Sequence, residues 1–239
     1  MCRLTYGRPV MRHTRDAFHM VPSHREQPPS TLSSLQAQQP RAQAPPLGIA
    51  AEALLGATVS VPWERPVHTA RLAFLRRVAR PGEVSVHVAC GTDRLGFIDV
   101  ACGLTTILTD VDPASLDILA QQFAELEARF GPLAGSLQCR QLPVEALTAE
   151  EGFPPGSVHH LTLQNLFNAH LHPTAAYPRV IAALLAVVAS GGSLFLTESE
   201  AVALQRHAQA RQMRLTRLAE VQGYYDENVV LLQLHRAPE

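Results

Sequence analysis

From residue 84 onward, short β-branched runs alternate with longer helical patterns, and this alternation constrains the fold more than any single motif. Residues 84–89 (VSVHVA) set valine at alternate positions, the period of a strand. Residues 94–102 have helical spacing and stop at Gly103, and 105–110 (TTILTD) read as the next strand. Over 113–130, Leu116, Leu119, Phe123 and Leu126 recur on one helical face; Pro113 opens the helix and Asp112 is placed to cap it. Strands are predicted at 136–141 and 157–163, a helix at 175–189 ending at Gly191-Gly192, a strand at 193–197 and a helix at about 199–210. The stretches 213–221 and 228–235 read as two strands of an antiparallel hairpin around GYYDE. Strand–helix–strand alternation implies right-handed crossovers and a parallel sheet. The predicted fold is α/β: a doubly wound Rossmann-like sheet of about seven strands, mostly parallel with an antiparallel C-terminal strand, and helices on both faces.

Upstream, 66–79 is a predicted helix with an apolar stripe at Val67, Ala70, Leu72, Leu75 and Val78, stopped by Pro81-Gly82; 50–55 is a short helix. Residues 1–46 are rich in Arg, His, Gln, Ser and Pro without a sustained apolar period, so they are expected to form a disordered arm ahead of a domain at 47–239. The spacing of His13, His19 and His24 matches no metal site, and none is expected. Every basic residue is Arg, which excludes Schiff-base lysine chemistry and a P-loop lysine. Net charge is -1 with no basic cluster, so no nucleic-acid footprint is visible. No apolar run is long enough for a bilayer, no signal peptide is evident, and a cytoplasmic location is the default expectation. Cys90, Cys102 and Cys139 form no CxxC pair and fall in apolar stretches, where they are expected to act as small buried hydrophobes.

In such a sheet ligands bind beyond the carboxyl ends of the strands. Two features fall there. The loop Ala89-Cys90-Gly91-Thr92-Asp93 follows the first strand, where small residues let backbone approach a ligand. Asp110 ends the second strand, 19 positions after Gly91, where a carboxylate can take both hydroxyls of a ribose. Each has a plainer reading: Gly91 as a structural turn glycine, Asp110 as a strand-end turn former.

These segments, in their order, resemble the class I S-adenosylmethionine-dependent methyltransferases. VHVACGTDRL resembles that family's glycine-loop motif, LTDVDPASLDIL the end of its second strand, and QLPVEAL its adenine-side segment. VASGGSLFLTE resembles the approach to its fifth strand, and GYYDENVVLLQLHR its terminal hairpin. The resemblance spans roughly 66–236 and implies S-adenosylmethionine as cofactor. It implies that Ala89, Cys90, Gly91, Asp93, Asp110, Val111, Val144, Glu145, Gln164 and Asn165 bind the cofactor. The motif departs from the family pattern at three points: His87 stands in the place of the acid, Ala89 of the first glycine and Asp93 of the third. Asp93 is then the loop's own acid, a candidate to hold the cofactor's amino end, or simply a cap for the following helix.

LQNLFNAHLHP follows the fourth strand, near the expected methyl-transfer face. His170 and His172 are the candidates for a general base. The plainer reading is a capped loop in which Asn and His serve turn chemistry. Tyr224-Tyr225 either lines a substrate pocket or covers the sheet edge. The expected activity is methyl transfer to a small-molecule acceptor. The alternatives are a degenerate member acting as a non-catalytic binding or interaction module, and a nicotinamide dinucleotide oxidoreductase, whose pyrophosphate needs glycines this loop lacks.

Overall fold

Seven strands join in the order β3-β2-β1-β4-β5-β7-β6 in the computed structural model, which describes residues 49–150, 152–163, 166, 177–223 and 228–236. In chain order the elements are α1 (Ala51–Thr58), α2 (Arg65–Val78), β1 (Val84–Val88), α3 (Leu95–Ala101), β2 (Thr105–Asp110), α4 (Pro113–Phe130) and β3 (Ser136–Gln141). There follow β4 (Val158–Leu163), α5 (Tyr177–Val187), β5 (Val188–Thr197), α6 (Glu198–Ala210), β6 (Arg214–Gln222) and β7 (Asn228–His235). The pairs from β3 through β5 are parallel, and β7 runs antiparallel to both its neighbours. The expected doubly wound sheet with an antiparallel last strand is therefore present.

Sequence chemistry explains the best-defined helix. The Asp112 carboxylate accepts from Ala114 N–H at 3.1 Å and Ser115 N–H at 3.2 Å, Pro113 opens α4, and Gly131 ends it with φ of 85°.

Three expectations change. β5 begins at Val188 rather than 193, and the preceding helix ends at Val187. Register against β4 jumps from Val158↔Val188 to His160↔Ser193, so 189–192 bulge out opposite His159. Gly192 is required there: a Cβ would lie 2.9 Å from the carbonyl oxygens of both Ala189 and His159. On α2, Val78 is exposed, and the buried face comprises Val67, His68, Arg71, Leu72, Phe74 and Leu75, so two polar residues sit in the predicted apolar stripe. Cys139 is exposed, because β3 is an edge strand whose side chains are largely uncovered. Cys102 is buried and Cys90 partly so, as expected.

One sheet face carries Val86, Val88, Leu161, Leu163, Leu194 and Leu196 against α5 and α6. The other packs on α1, α2, α3 and α4. Because β1 and β2 are parallel neighbours, their carboxyl ends emerge side by side, and these ends carry Ala89 and Asp110. No helix among the described residues is long and apolar enough to cross a membrane.

Candidate functional site

The loop after β1 is held in an unusual backbone conformation. Gly91 has φ of 52°, and Ala89, without glycine's freedom, has φ of 51°. A left-handed L-residue costs roughly 1–2 kcal/mol, so the surrounding loop must hold Ala89 in place. It does so through backbone bonds: Cys90 N–H donates to Thr109 O at 3.1 Å, and Asp93 N–H to Cys90 O at 3.1 Å. The Asp110 carboxylate completes the arrangement. Its Oδ2 accepts from Gly91 N–H at 2.8 Å and its Oδ1 from Asp112 N–H at 2.9 Å. Each carboxylate oxygen has further acceptor capacity, so Asp110 is oriented by the backbone and remains able to accept from hydroxyl donors. A Cβ built on Gly91 meets nothing within 4 Å, so this backbone borders open space.

The neighbouring residues have distinct roles. Asp93 Oδ1 accepts from Leu95 N–H at 2.8 Å, capping the first turn of α3, and lies 3.6 Å from Nε2 of the buried His68. Arg94 reaches Gln122 of α4 and the carbonyl of Ala57 at the end of α1, tying both helices to the loop. The thiol of Cys90 is pushed up by burial and, secondarily, by the Asp110 carboxylate, so it is no nucleophile. Val111 is 61% exposed beside Asp110. Leu142 N–H donates to Asp110 O at 3.0 Å, which brings the following turn, with Val144 buried and Glu145 exposed, to the same edge of the sheet. The structure thus gathers Ala89, Cys90, Gly91, Asp93, Asp110, Val111, Val144 and Glu145 around the carboxyl ends of β1, β2 and β3. Gln164, Asn165, His170, His172 and the Tyr224-Tyr225 pair lie outside the described residues.

Sequence reasoning missed two buried carboxylates. Glu200 of α6 accepts from Leu166 N–H at 2.7 Å and Thr197 N–H at 2.9 Å, bracing the segment after β4 against the end of β5. Asp99 of α3 binds Arg71 of α2 and Ser85 and His87 of β1. One signal was available: Asp99 interrupts an otherwise apolar helix, LGFIDVA, a position a lone carboxylate occupies only when paired.

The strand order, with an antiparallel β7 inserted between β5 and β6, departs from the all-parallel dinucleotide-binding order. Solved structures decide what it matches. A SAM-dependent methyltransferase from Aquifex aeolicus superposes with a TM-score of 0.54 at 11% identity, over 79% of this chain and 100% of its own. The fold is that of the class I methyltransferases. Magnesium protoporphyrin IX methyltransferase from Synechocystis, with bound SAM, gives 0.54 at 12% identity, covering 70% of this chain and 77% of that one. The CurJ carbon methyltransferase gives 0.54 at 14% identity over 81% of this chain, which spans 60% of CurJ's length. No family model matches the sequence, and no curated protein matches it.

Proposed function

We infer that the chain binds S-adenosylmethionine across the carboxyl ends of β1 and β2 and transfers its methyl group to a small-molecule acceptor. The observation that carries this reading is Asp110: a carboxylate fixed by Gly91 N–H at the end of β2, beside a loop that borders open space. In this fold that place accepts a ribose. The fold neighbours are S-adenosylmethionine-dependent enzymes, and the acceptor named for one of them is a porphyrin. A net charge of -1 without a basic cluster supports a small acceptor over a nucleic acid.

The methylsulfonium, when bound, supplies a reactive methyl group with a good leaving group. The chain's residues have the remaining tasks of binding, alignment and exclusion of water. Asp110 holds the ribose, Val111 and Val144 offer apolar contact to the base, and the loop backbone approaches the remainder. Val111 is suited to this contact because its side chain is exposed at the rim of the site. Calorimetric titration with S-adenosylmethionine, its demethylated product and NAD tests the reading. The first two are expected to bind and NAD is not. Asp110→Ala is expected to weaken binding by about 1–3 kcal/mol, the scale of charge-assisted hydrogen bonds. Unchanged affinity in a folded variant removes Asp110 from the site.

A second reading has its own support. Ala89 holds its left-handed conformation and Asp93 its helix cap through protein contacts alone, as in a binding module that keeps the fold without catalysis. Failure of every nucleoside to bind favours this reading.

A further inference from the structure

The sequence has no basic cluster, but the fold makes one, at the end of the sheet away from the candidate site. α2 runs down from that site: His68 near its start lies 3.6 Å from Asp93, and Arg76 and Arg77 stand in its last turn. Arg80 follows in the turn that enters β1, where its backbone N–H donates to Glu83 at 3.0 Å. α6 ends at Arg211, and β6 opens with Arg214. β5 and β6 both run antiparallel to β7, so β6 begins at the same end of the sheet as β1. One rung joins the two groups: Ser85, His160, Ser193, Gln233 and Thr216 are in register from β1 to β6. Four strand spacings set the ends of that rung roughly 19 Å apart. Arg76, Arg77, Arg80, Arg211 and Arg214 are all exposed, and none forms an ion pair among the described residues. The segments that meet at this end are 76–84, 154–160, 183–193, 204–216 and 232–236, and their one carboxylate is Glu83, which His160 already engages at 3.1 Å. The turns there at Gly82, Gly156 and Gly191 border open space, since a Cβ on any of them meets nothing within 4 Å. Asp93, Asp110, Asp112 and Glu145 lie at the other end of the sheet. A six-residue strand such as β2 is about 20 Å long. That exceeds the Debye length of about 8 Å at physiological salt, so those carboxylates do not cancel the field of the arginines.

We propose that this amino end of the sheet docks on an anionic phospholipid surface, with Arg76, Arg77 and Arg80 on one side and Arg211 and Arg214 on the other as the phosphate contacts. Guanidinium groups are suited to phosphate, and clusters of this size hold proteins reversibly at anionic bilayers. Val78 is exposed amid the α2 arginines and offers apolar contact at the boundary between headgroups and acyl chains. Single-stranded nucleic acid is bound with the help of aromatic side chains, and the five segments contain no Phe, Tyr or Trp. Docked in this way, the loop after β1 and Asp110 face away from the bilayer. The proposal is independent of what binds at that other end.

Flotation of the full chain with vesicles tests this. Phosphatidylcholine vesicles containing about one-third phosphatidylglycerol are expected to bind the protein, and phosphatidylcholine alone is not. Raising the salt to about 0.5 M is expected to release it. Residues 1–46 hold arginines of their own, so the deciding comparison is between full-length chains that differ only at the amino end of the sheet. Arg77→Gln with Arg80→Gln, and Arg211→Gln with Arg214→Gln, change exposed side chains that no ion pair holds, and both variants are expected to fold. Each pair is expected to lower partitioning about 25-fold, or about five-fold per arginine. Trp63 reads the orientation. It is the chain's one tryptophan, is exposed, and precedes α2, whose 14 residues span about 21 Å. Brominated lipids are therefore expected to leave its fluorescence unquenched. Equal binding to both vesicle types, binding to neither, undiminished binding in either paired variant, or quenching of Trp63 overturns the proposal. Binding of duplex RNA without binding of anionic vesicles overturns it too, and assigns the arginines to nucleic acid.

Discussion

Successive rungs across β1, β4 and β5 differ sharply. Val86, Leu161 and Leu194 lie in register on the face beneath α5 and α6. The rung before it on the opposite face holds Ser85, His160 and Ser193, and the rung after it His87, Thr162 and Phe195. One face is a conventional apolar layer. The other buries hydroxyls, imidazoles and an ion pair beneath α2 and α3. It is not fully satisfied: Thr106 Oγ1, Thr162 Oγ1, Arg71 Nη1 and His68 Nε2 are buried without hydrogen-bond partners among the described residues. An apolar layer contributes stability through area and dispersion. A polar layer adds little net stability and fixes geometry instead, which suits the layer that carries the loop and Asp93.

The largest expected effect breaks the polar layer. Asp99→Leu leaves Arg71 charged and buried, and is expected to cost about 3–5 kcal/mol in urea unfolding. Adding Arg71→Met is expected to recover most of that loss. No recovery would mean that the pair contributes stability as the apolar face does. Next, Leu161→Ala on the apolar face is expected to cost about 3 kcal/mol, whereas Thr106→Val on the polar face removes an unpartnered hydroxyl and is expected to stabilise by about 1 kcal/mol. Equal losses at both positions would erase the contrast between the faces.

Asp93→Ala is a smaller test, at the junction of polar layer and loop. Loss of the cap to Leu95 is expected to cost about 1 kcal/mol. Unchanged nucleoside affinity in that variant would remove Asp93 as a cofactor contact; weaker affinity would restore it. The smallest effect is zero at neutral pH and grows with acid. Glu83 is held below the usual carboxylate range: burial opposes this, but His160, 3.1 Å away, and the Arg80 N–H outweigh it. Asp99 is held lower still. Both carboxyls bind protons more readily in the unfolded chain, where they titrate near about 4. Their stabilisation is therefore complete above that range and lost as pH falls through it and below. The unfolding temperature is expected to stay level from pH 7 to 5 and to fall below about 4.5, less steeply with the Arg71–Asp99 pair replaced. A level profile to pH 3 would show that the polar layer does not titrate with folding.

Much of the architecture was legible because it depends on local chemistry. The Asp112-Pro113 start of α4 and the strands 105–110 and 136–141 match their predicted limits. The start of β5 was not legible, since 188–192 pair only through a bulge that β4 imposes. The placement of Gly91 and Asp110 just after neighbouring strands was legible from spacing, because β1 and β2 are parallel neighbours and their ends coincide; the hydrogen bond between the two was not. The polar layer was not. Arg71 and Asp99 are 28 residues apart and meet only when α2 and α3 pack together. Read singly, Arg71 resembles a solvent-facing charge on a helix, and nothing local marks it for burial.

β7 lies inside the sheet between β5 and β6, although it follows both in the chain. During synthesis, β6 emerges with no strand to join, and β5 keeps an unpaired rim until residues 228–235 have left the ribosome. Such a rim invites pairing with another chain. The nascent domain is therefore most exposed to aggregation in the interval before β7 emerges, and that interval is where a chaperone has most to do. A premature stop before β7 removes not one strand from the edge of the sheet but two, because β6 pairs only with β7.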